Sequence, residues 1–230
     1  RRRERRQGPK DAIYGWTLKL ASLACTFNLN DQPAAAADLQ LMLDVQAHRG
    51  PDGGAAWASG PVGLACGALF TTPEAVLERM PLTHAASGTT IAADARIDNR
   101  DELIRELALP RAGAASLGDG ALILAAYRRW GTDAPLKLMG DFAFVIWDRT
   151  RQRLFAARDA LGVKPLHYHH EPRRLFALAS EESALRALPA VPLRIDEGRI
   201  ADFLVSELEG IDKTSTFSAN IQRLPPACWL

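Results

Sequence analysis

The chain is 230 residues long, near the upper end for one domain and long enough to bury a substantial core. Hydrophobic residues make up 47% and charged residues 24%, an ordinary globular composition, and no stretch approaches the ~18 apolar residues that span a bilayer. Net charge is +1, but residues 1–11 hold six basic and two acidic side chains (+4), leaving −3 for the rest.

The basic N-terminus lacks the apolar region and small-residue cleavage site of a signal peptide. Residues 1–19 read as a solvated, disordered leader. The other reading, a nucleic-acid module built on Arg1-Arg2-Arg3-Glu4-Arg5-Arg6, lacks a basic face or aromatic platform after it, so nucleic acid is not an expected partner. Cys25, Cys66 and Cys228 have neither metal nor redox spacing. So few cysteines fit a reducing compartment, which makes the cytoplasm the expected location and leaves a membrane out.

In chain order, Leu18 to Leu29 reads as a buried strand, and Asp31 to Pro33 as a turn. Leu39, Met42, Leu43 and Ala47 follow helical spacing, and His48 to Gly54 breaks that helix with turn chemistry. Strand-like runs follow at Ala55 to Ala58 and Val62 to Phe70, then loop-like residues 71–87 and a strand at Thr89 to Ala95. Asn99-Arg100-Asp101-Glu102 looks like a capping box opening a helix, and a second helix follows Asp119 over Ala121 to Trp130.

Phe142 to Trp147 is a continuous apolar run, as expected of a strand covered on both faces. More strands are expected at Arg153 to Arg158, Leu166 to His169 and Leu175 to Ala179, then helices at Glu181 to Leu188 and Ile195 to Leu208. Strands, helices and strands again suggest layers stacked helix, sheet, sheet, helix. Nothing after Leu208 looks able to build a core of its own.

Several strings then occur in order: FNL at 27–29, HRGPDG at 48–53, IDNRDEL at 97–103 and GDFAFVIWD at 140–148. ARDALGVKPLHY at 157–168, LASEESALRAL at 178–188 and RLPPACWL at 223–230 complete the set. Together they resemble asparagine synthetases and other class II glutamine amidotransferases, from about residue 20 to the end. The resemblance implies an α+β fold, the four-layer αββα sandwich of N-terminal-nucleophile hydrolases. It implies an amidotransferase-like domain over residues 20–189, with 190–230 a connection toward a C-terminal synthetase domain that is the expected partner.

In such enzymes a leading cysteine attacks the glutamine amide, with its own α-amino group as base. Counting back from Phe27, the family pattern Cys-Gly-Ile-Ala-Gly-Ile-Phe falls on Ala21-Ser22-Leu23-Ala24-Cys25-Thr26-Phe27. The nucleophile position is therefore Ala21, whose methyl group has no attacking atom and whose nitrogen is acylated by the residues before it. The family's oxyanion segment Asn-Gly-Glu corresponds to Asp94-Ala95-Arg96, and an ionised Asp94 accepts hydrogen bonds where a donor is needed. Losing one such donor costs about 3–4 kcal/mol of barrier.

The resemblance assigns Arg49 to the glutamine α-carboxylate and Asp119 to its α-ammonium, although the family's adjacent Ser and Glu are Gly118 and Ala121 here. The plainer reading makes Arg49 and Asp119 loop-holding residues that pair and cap. Cys25 would be the nucleophile only if the leader were removed to residue 24, shifting the strand four residues; otherwise it is a core cysteine. His167 and His169 alternate on a strand without a carboxylate or cysteine cluster beside them, so no metal is expected.

The adenylating Ser-Gly-Gly-x-Asp-Ser type motif is missing from these residues, so no cofactor is expected in this chain, and ATP and magnesium belong to the synthetase domain alone. With Ala21 at the nucleophile position, the chain resembles a variant that has lost the nucleophile, as in β-lactam synthetases and lasso-peptide cyclases. That resemblance implies an inert domain that supports the synthetase, with glutamine or a precursor peptide as further candidate ligands.

Overall fold

The computed structural model describes residues 21–230 except 111, 112, 114, 115, 206, 207, 209 and 210. The leader, residues 1–19, lies outside the described residues, as does the start of the first expected strand.

Two antiparallel sheets form the centre. The first has the order β10-β8-β9-β1-β3-β2, built from β1 (Ser22–Asn28), β2 (Gly54–Ser59), β3 (Val62–Gly67), β8 (His167–Glu171), β9 (Leu175–Ala179) and β10 (Gln222–Arg223). The second has the order β4-β5-β6-β7, from β4 (Leu82–His84), β5 (Thr89–Ile97), β6 (Gly140–Asp148) and β7 (Arg153–Arg158). Helices α1 (Ala36–Val45), α2 (Pro73–Leu77), α3 (Arg100–Glu106), α4 (Asp119–Trp130), α5 (Glu182–Ala187) and α6 (Glu197–Leu204), with a 3-10 helix over Gly131–Lys137, accompany the sheets.

Successive side chains of a strand point to opposite faces, and each apolar run here divides accordingly. On β6, Phe142, Phe144 and Ile146 pack outward with Leu103 of α3 and Ile123 and Tyr127 of α4. Ala143, Val145 and Trp147 of the same strand face inward, where they meet Leu23 and Cys25 of β1 and Leu64 of β3. The far face of the first sheet, through Ala24, Ala65 and Ala177, takes Leu39 and Met42 of α1 and Leu185 of α5. Three apolar layers thus separate helices, sheet, sheet and helices. Each large side chain buried between them contributes about 1.5–3 kcal/mol. Gly63 on β3 lets α1 approach, since a Cβ there would come within 2.7 Å of Leu39.

Several sequence expectations change. The capping box at Asn99 does not form: the Asn99 side chain donates to the Lys137 carbonyl at 3.0 Å and accepts from the Met139 amide at 3.0 Å, tying α3 to the start of β6. Residues 71–87, expected as loop, contain α2 and β4, short elements that hold because β4 pairs with β5. The helix expected over Ile195 to Leu208 is assigned as α6 over Glu197–Leu204, capped by the Asp196 side chain accepting from Arg199 N at 2.9 Å.

The tail does join the core. Gln222 and Arg223 pair with Tyr168 and His167, Ile221 and Leu224 are buried, and Ala156 and Leu230 exchange backbone hydrogen bonds at 3.1 and 2.8 Å. Residues 221–230 therefore close the free edge of one sheet and lie along the edge of the other. Isolated edges are exposed templates, and pairing them stabilises a segment with few apolar side chains of its own.

Among the described residues, no helix is long and apolar enough to cross a membrane.

Candidate functional site

A cleft of about 270 Å³ opens where the head of β1 meets the N-terminus of α4. Ala21 lines it, as do Gly53 and Gly54 from the turn after α1, Cys66 and Gly67 at the end of β3, and Ala93 and Ala95 of β5. Glu78, Met80, Asp119 and Gly120 also line it. The position matched to the nucleophile and the position matched to the ammonium ligand therefore share one cavity. Ala21 brings a methyl group to it.

The charged residues assigned to glutamine are already engaged. Arg49 is 8% exposed and donates from Nε to the Ala21 carbonyl at 3.2 Å and from Nη1 to Glu181 Oε1 at 3.2 Å. Its Nη2 lies 3.5 Å from Asp94 Oδ2, in ion-pair range but without hydrogen-bond geometry. His48 adds a 2.9 Å contact to the same Glu181 oxygen. Burial works against the Glu181 charge, yet His48 and Arg49 together hold its carboxyl below the ordinary value.

Asp94 is 2% exposed and does not line the cleft, which is bordered instead by its neighbours Ala93 and Ala95. Its Oδ1 accepts from Lys164 Nζ at 2.6 Å. Burial pushes the Asp94 carboxyl above its usual range, while Lys164 and Arg49 pull it back. Arg96 points elsewhere, into an exposed pair with Asp98 at 3.0 Å. The segment Asp94-Ala95-Arg96 thus presents no side-chain hydrogen-bond donor to the cleft.

Asp119 opens α4 and is bound by Arg100, whose guanidinium also donates to the Leu117 carbonyl. Burial raises the Asp119 carboxyl despite that partner. Beside it, Glu78 accepts from Ala121 N at 2.8 Å and Gly120 N at 3.3 Å. The first turn of a helix has amides without intrahelical acceptors, and a carboxylate there also meets the positive end of the helix dipole. Burial raises the Glu78 carboxyl, with those amides opposing it.

The cysteines are packed as core residues. Cys25 lies between the sheets, fully buried, opposite Leu64 and Leu178, and burial raises its thiol far above the range where a thiolate forms. Cys66 touches the cleft, but burial pushes its thiol to about 12 and its Sγ donates to the Ala93 carbonyl at 3.3 Å. His167 Nδ1 and His169 Nδ1 contact the Ser180 and Asn220 carbonyls at 3.1 and 2.7 Å. Among the described residues, no group of three or more His, Cys, Asp or Glu could hold a metal ion.

Sequence reasoning missed Glu78, Met80, Arg100, Glu181 and Lys164 as components of this region. Lys164 and Glu181 stand inside quoted strings, and Arg100 inside IDNRDEL, so a signal for them existed. Glu78 and Met80 gave none. They lie in the stretch expected to be loop.

Residues 20–230 match the sequence profile of the family described as Glutamine amidotransferase domain. The chain is 32% identical over 162 residues to asparagine synthetase [glutamine-hydrolyzing] 3 of Bacillus subtilis, covering 70% of this chain and 26% of that protein. It is 26% identical over 212 residues to asparagine synthetase [glutamine-hydrolyzing] 2 of the same organism, covering 91% and 27%. Among solved structures it is similar to glutamine phosphoribosylpyrophosphate amidotransferase from B. subtilis, with a TM-score of 0.57 at 16% identity, over 77% of this chain and 46% of that one. That likeness carries the fold, which is the N-terminal-nucleophile sandwich. The chain spans only about a quarter of the length of these two synthetases.

Proposed function

Because this chain belongs to the glutamine amidotransferase domain family and is related to asparagine synthetases, we propose that it is a glutaminase-like domain without glutaminase activity. In this reading it forms the front part of a longer ATP-dependent amide-forming enzyme and supports that enzyme's synthetase domain, in the cytoplasm. The observation that carries the reading is Ala21, a methyl-bearing residue on the wall of the cleft at the family's nucleophile position.

Hydrolysis of a glutamine amide needs an attacking atom, a base to take its proton, and donors for the developing oxyanion. Ala21 supplies no attacking atom. Its nitrogen, internal to the sequence, is an amide and takes no proton near neutrality. Asp94 turns to Lys164 and is an acceptor, so the oxyanion gains no side-chain donor there. Arg49 and Asp119, free in a working site to hold glutamine, are committed to Glu181, Asp94 and Arg100.

A synthetase that activates a carboxylate by adenylation and couples it to an amine already present in its substrate needs no ammonia. A lasso-peptide-cyclase-like or β-lactam-synthetase-like parent fits that chemistry, with ATP and magnesium bound by the synthetase domain and a precursor peptide as one candidate substrate. The alternative, an ammonia donor using Cys25 after leader removal, would delete the pairing of Ser22, Leu23 and Ala24 with β3 and place a core sulfur at the chain start. No observation favours it.

The test is glutamate release by the purified full-length protein supplied with glutamine, ATP and magnesium. The expected rate equals the no-enzyme background. Release above background overturns the reading.

A further inference from the structure

Glu78, Arg79 and Met80 run between α2 and β4, and all three line the same cleft as Ala21. Glu78 caps the first turn of α4 through amides 42 and 43 residues away, because the cap residue Gly118 has no side chain to do so. The fit depends on two glycines flanking Asp119. A Cβ on Gly118 would overlap the Glu78 carboxyl group, and a Cβ on Gly120 would overlap the Met80 methyl. The backbone at Gly118 lies in the extended region that any residue adopts, so conformational freedom does not require glycine there. Room for Glu78 does.

We propose that Glu78 and Met80 form an internal plug: the chain's own carboxylate occupies the α4 amides beside Asp119, and a free amino acid enters the cleft only when residues 78–80 swing out. The proposal rests on reading this cleft as the former glutamine pocket. The plug keeps a pocket without chemistry from retaining an abundant amino acid. A ligand that binds only the displaced state has its apparent affinity reduced by the fraction of molecules in that state. The simpler role, a remote helix cap, predicts a loss of stability when Glu78 is truncated but no gain in binding.

Isothermal titration of the full chain with L-glutamine and with L-glutamate separates the two roles. Glu78→Ala is expected to bind at least ~10-fold more tightly than the native chain, equivalent to about 1.4 kcal/mol. Glu78→Gln, which keeps the volume and an acceptor oxygen, stays within ~3-fold of native. Gly118→Ala, which displaces the carboxyl group while leaving Glu78 present, gains affinity like Glu78→Ala and carries the test if truncation prevents folding. Equal affinity across native, Glu78→Ala and Gly118→Ala chains overturns the plug and leaves the proposed function standing. Hydrolysis of glutamine by an opened variant would instead count against the proposed function while supporting the plug.

Discussion

Two regions of this molecule bury charged side chains, and they do so by opposite means. Next to the cleft-lining residues Ala21, Ala93 and Ala95, the side chains of Arg49, Asp94, Lys164 and Glu181 are held mainly by one another. Elsewhere, Arg158 donates from Nε, Nη1 and Nη2 to the carbonyls of Lys164, Leu224 and Gly162, each at 2.6 Å. Asp159 accepts from the amides of Leu161, Val163 and Lys164 at 3.1, 2.9 and 3.0 Å. The clamp uses charge to fix backbone, and it ties residues 159–164 and the tail to β7. The charged cluster leaves Arg49 Nη2 and Asp94 Oδ2 without hydrogen-bond partners among the described residues. An ion pair whose members lack full hydrogen bonding is weak evidence of a role in stability. The cluster sets charge against charge, whereas the clamp sets charge against backbone.

The largest effect should come from cutting the Lys164–Asp94 pair on one side. Lys164→Met leaves Asp94 buried beside only the longer Arg49 contact, and removal of one partner of a buried pair typically costs about 3–5 kcal/mol. Asp94→Asn in the same chain removes the orphaned charge and should recover at least half of that loss in urea unfolding. Additive losses would break the claim that these charges hold one another.

Next is Arg158→Ala, which strips three buried carbonyls of their donor, expected to cost about 3 kcal/mol or more. Asp159→Ala should not rescue it, because Arg158 serves backbone rather than that carboxylate. Rescue would make the clamp an ion pair like that of Lys164 and Asp94.

This contrast shows which parts of the molecule were legible in the sequence. Apolar runs such as Phe142 to Trp147 announced the strands, since only a strand covered on both faces carries so many apolar side chains in a row. Ordered motifs led to Ala21 and to Asp119, and the structure brings both to one cleft. Orientation was less accessible. Asp94 could face either side of β5, and only its register opposite Ala143 turns it toward Lys164 and away from the cleft. Asn99 carried a capping pattern, but bonds to Lys137 and Met139 far along the chain displaced it. Glu78 had no local signal because its partners are amides 42 and 43 residues away.

A smaller effect should appear in the pH dependence of stability. Burial raises the folded-state carboxyl of Glu78 above its ordinary value of 4.5. The folded chain therefore holds that proton more tightly than the unfolded chain. Stability should rise as pH falls from neutrality through the raised value toward 4.5, and fall again on return to neutrality. Asp94 and Asp119 shift in the same direction, so the native slope is a sum. Subtracting the profile of Glu78→Gln isolates one contributor. Identical native and variant slopes between pH 4.5 and 7 would mean that Glu78 titrates as it does in the unfolded chain.

The smallest expected effect is none at all, and it bears most directly on the proposed lack of glutaminase activity. Ala21→Cys in the full chain puts sulfur on the cleft wall, 20 residues from the start of the sequence. The new residue's nitrogen remains in a peptide bond, so the base that activates a leading cysteine is still missing. Asp94 still faces Lys164, and Arg49 and Asp119 still hold protein partners instead of an amino acid. Glutamate release should therefore stay at background for this variant. Measurable turnover would reduce the difference between this cleft and an active one to a single side chain, and the engaged charges around it would then be compatible with catalysis.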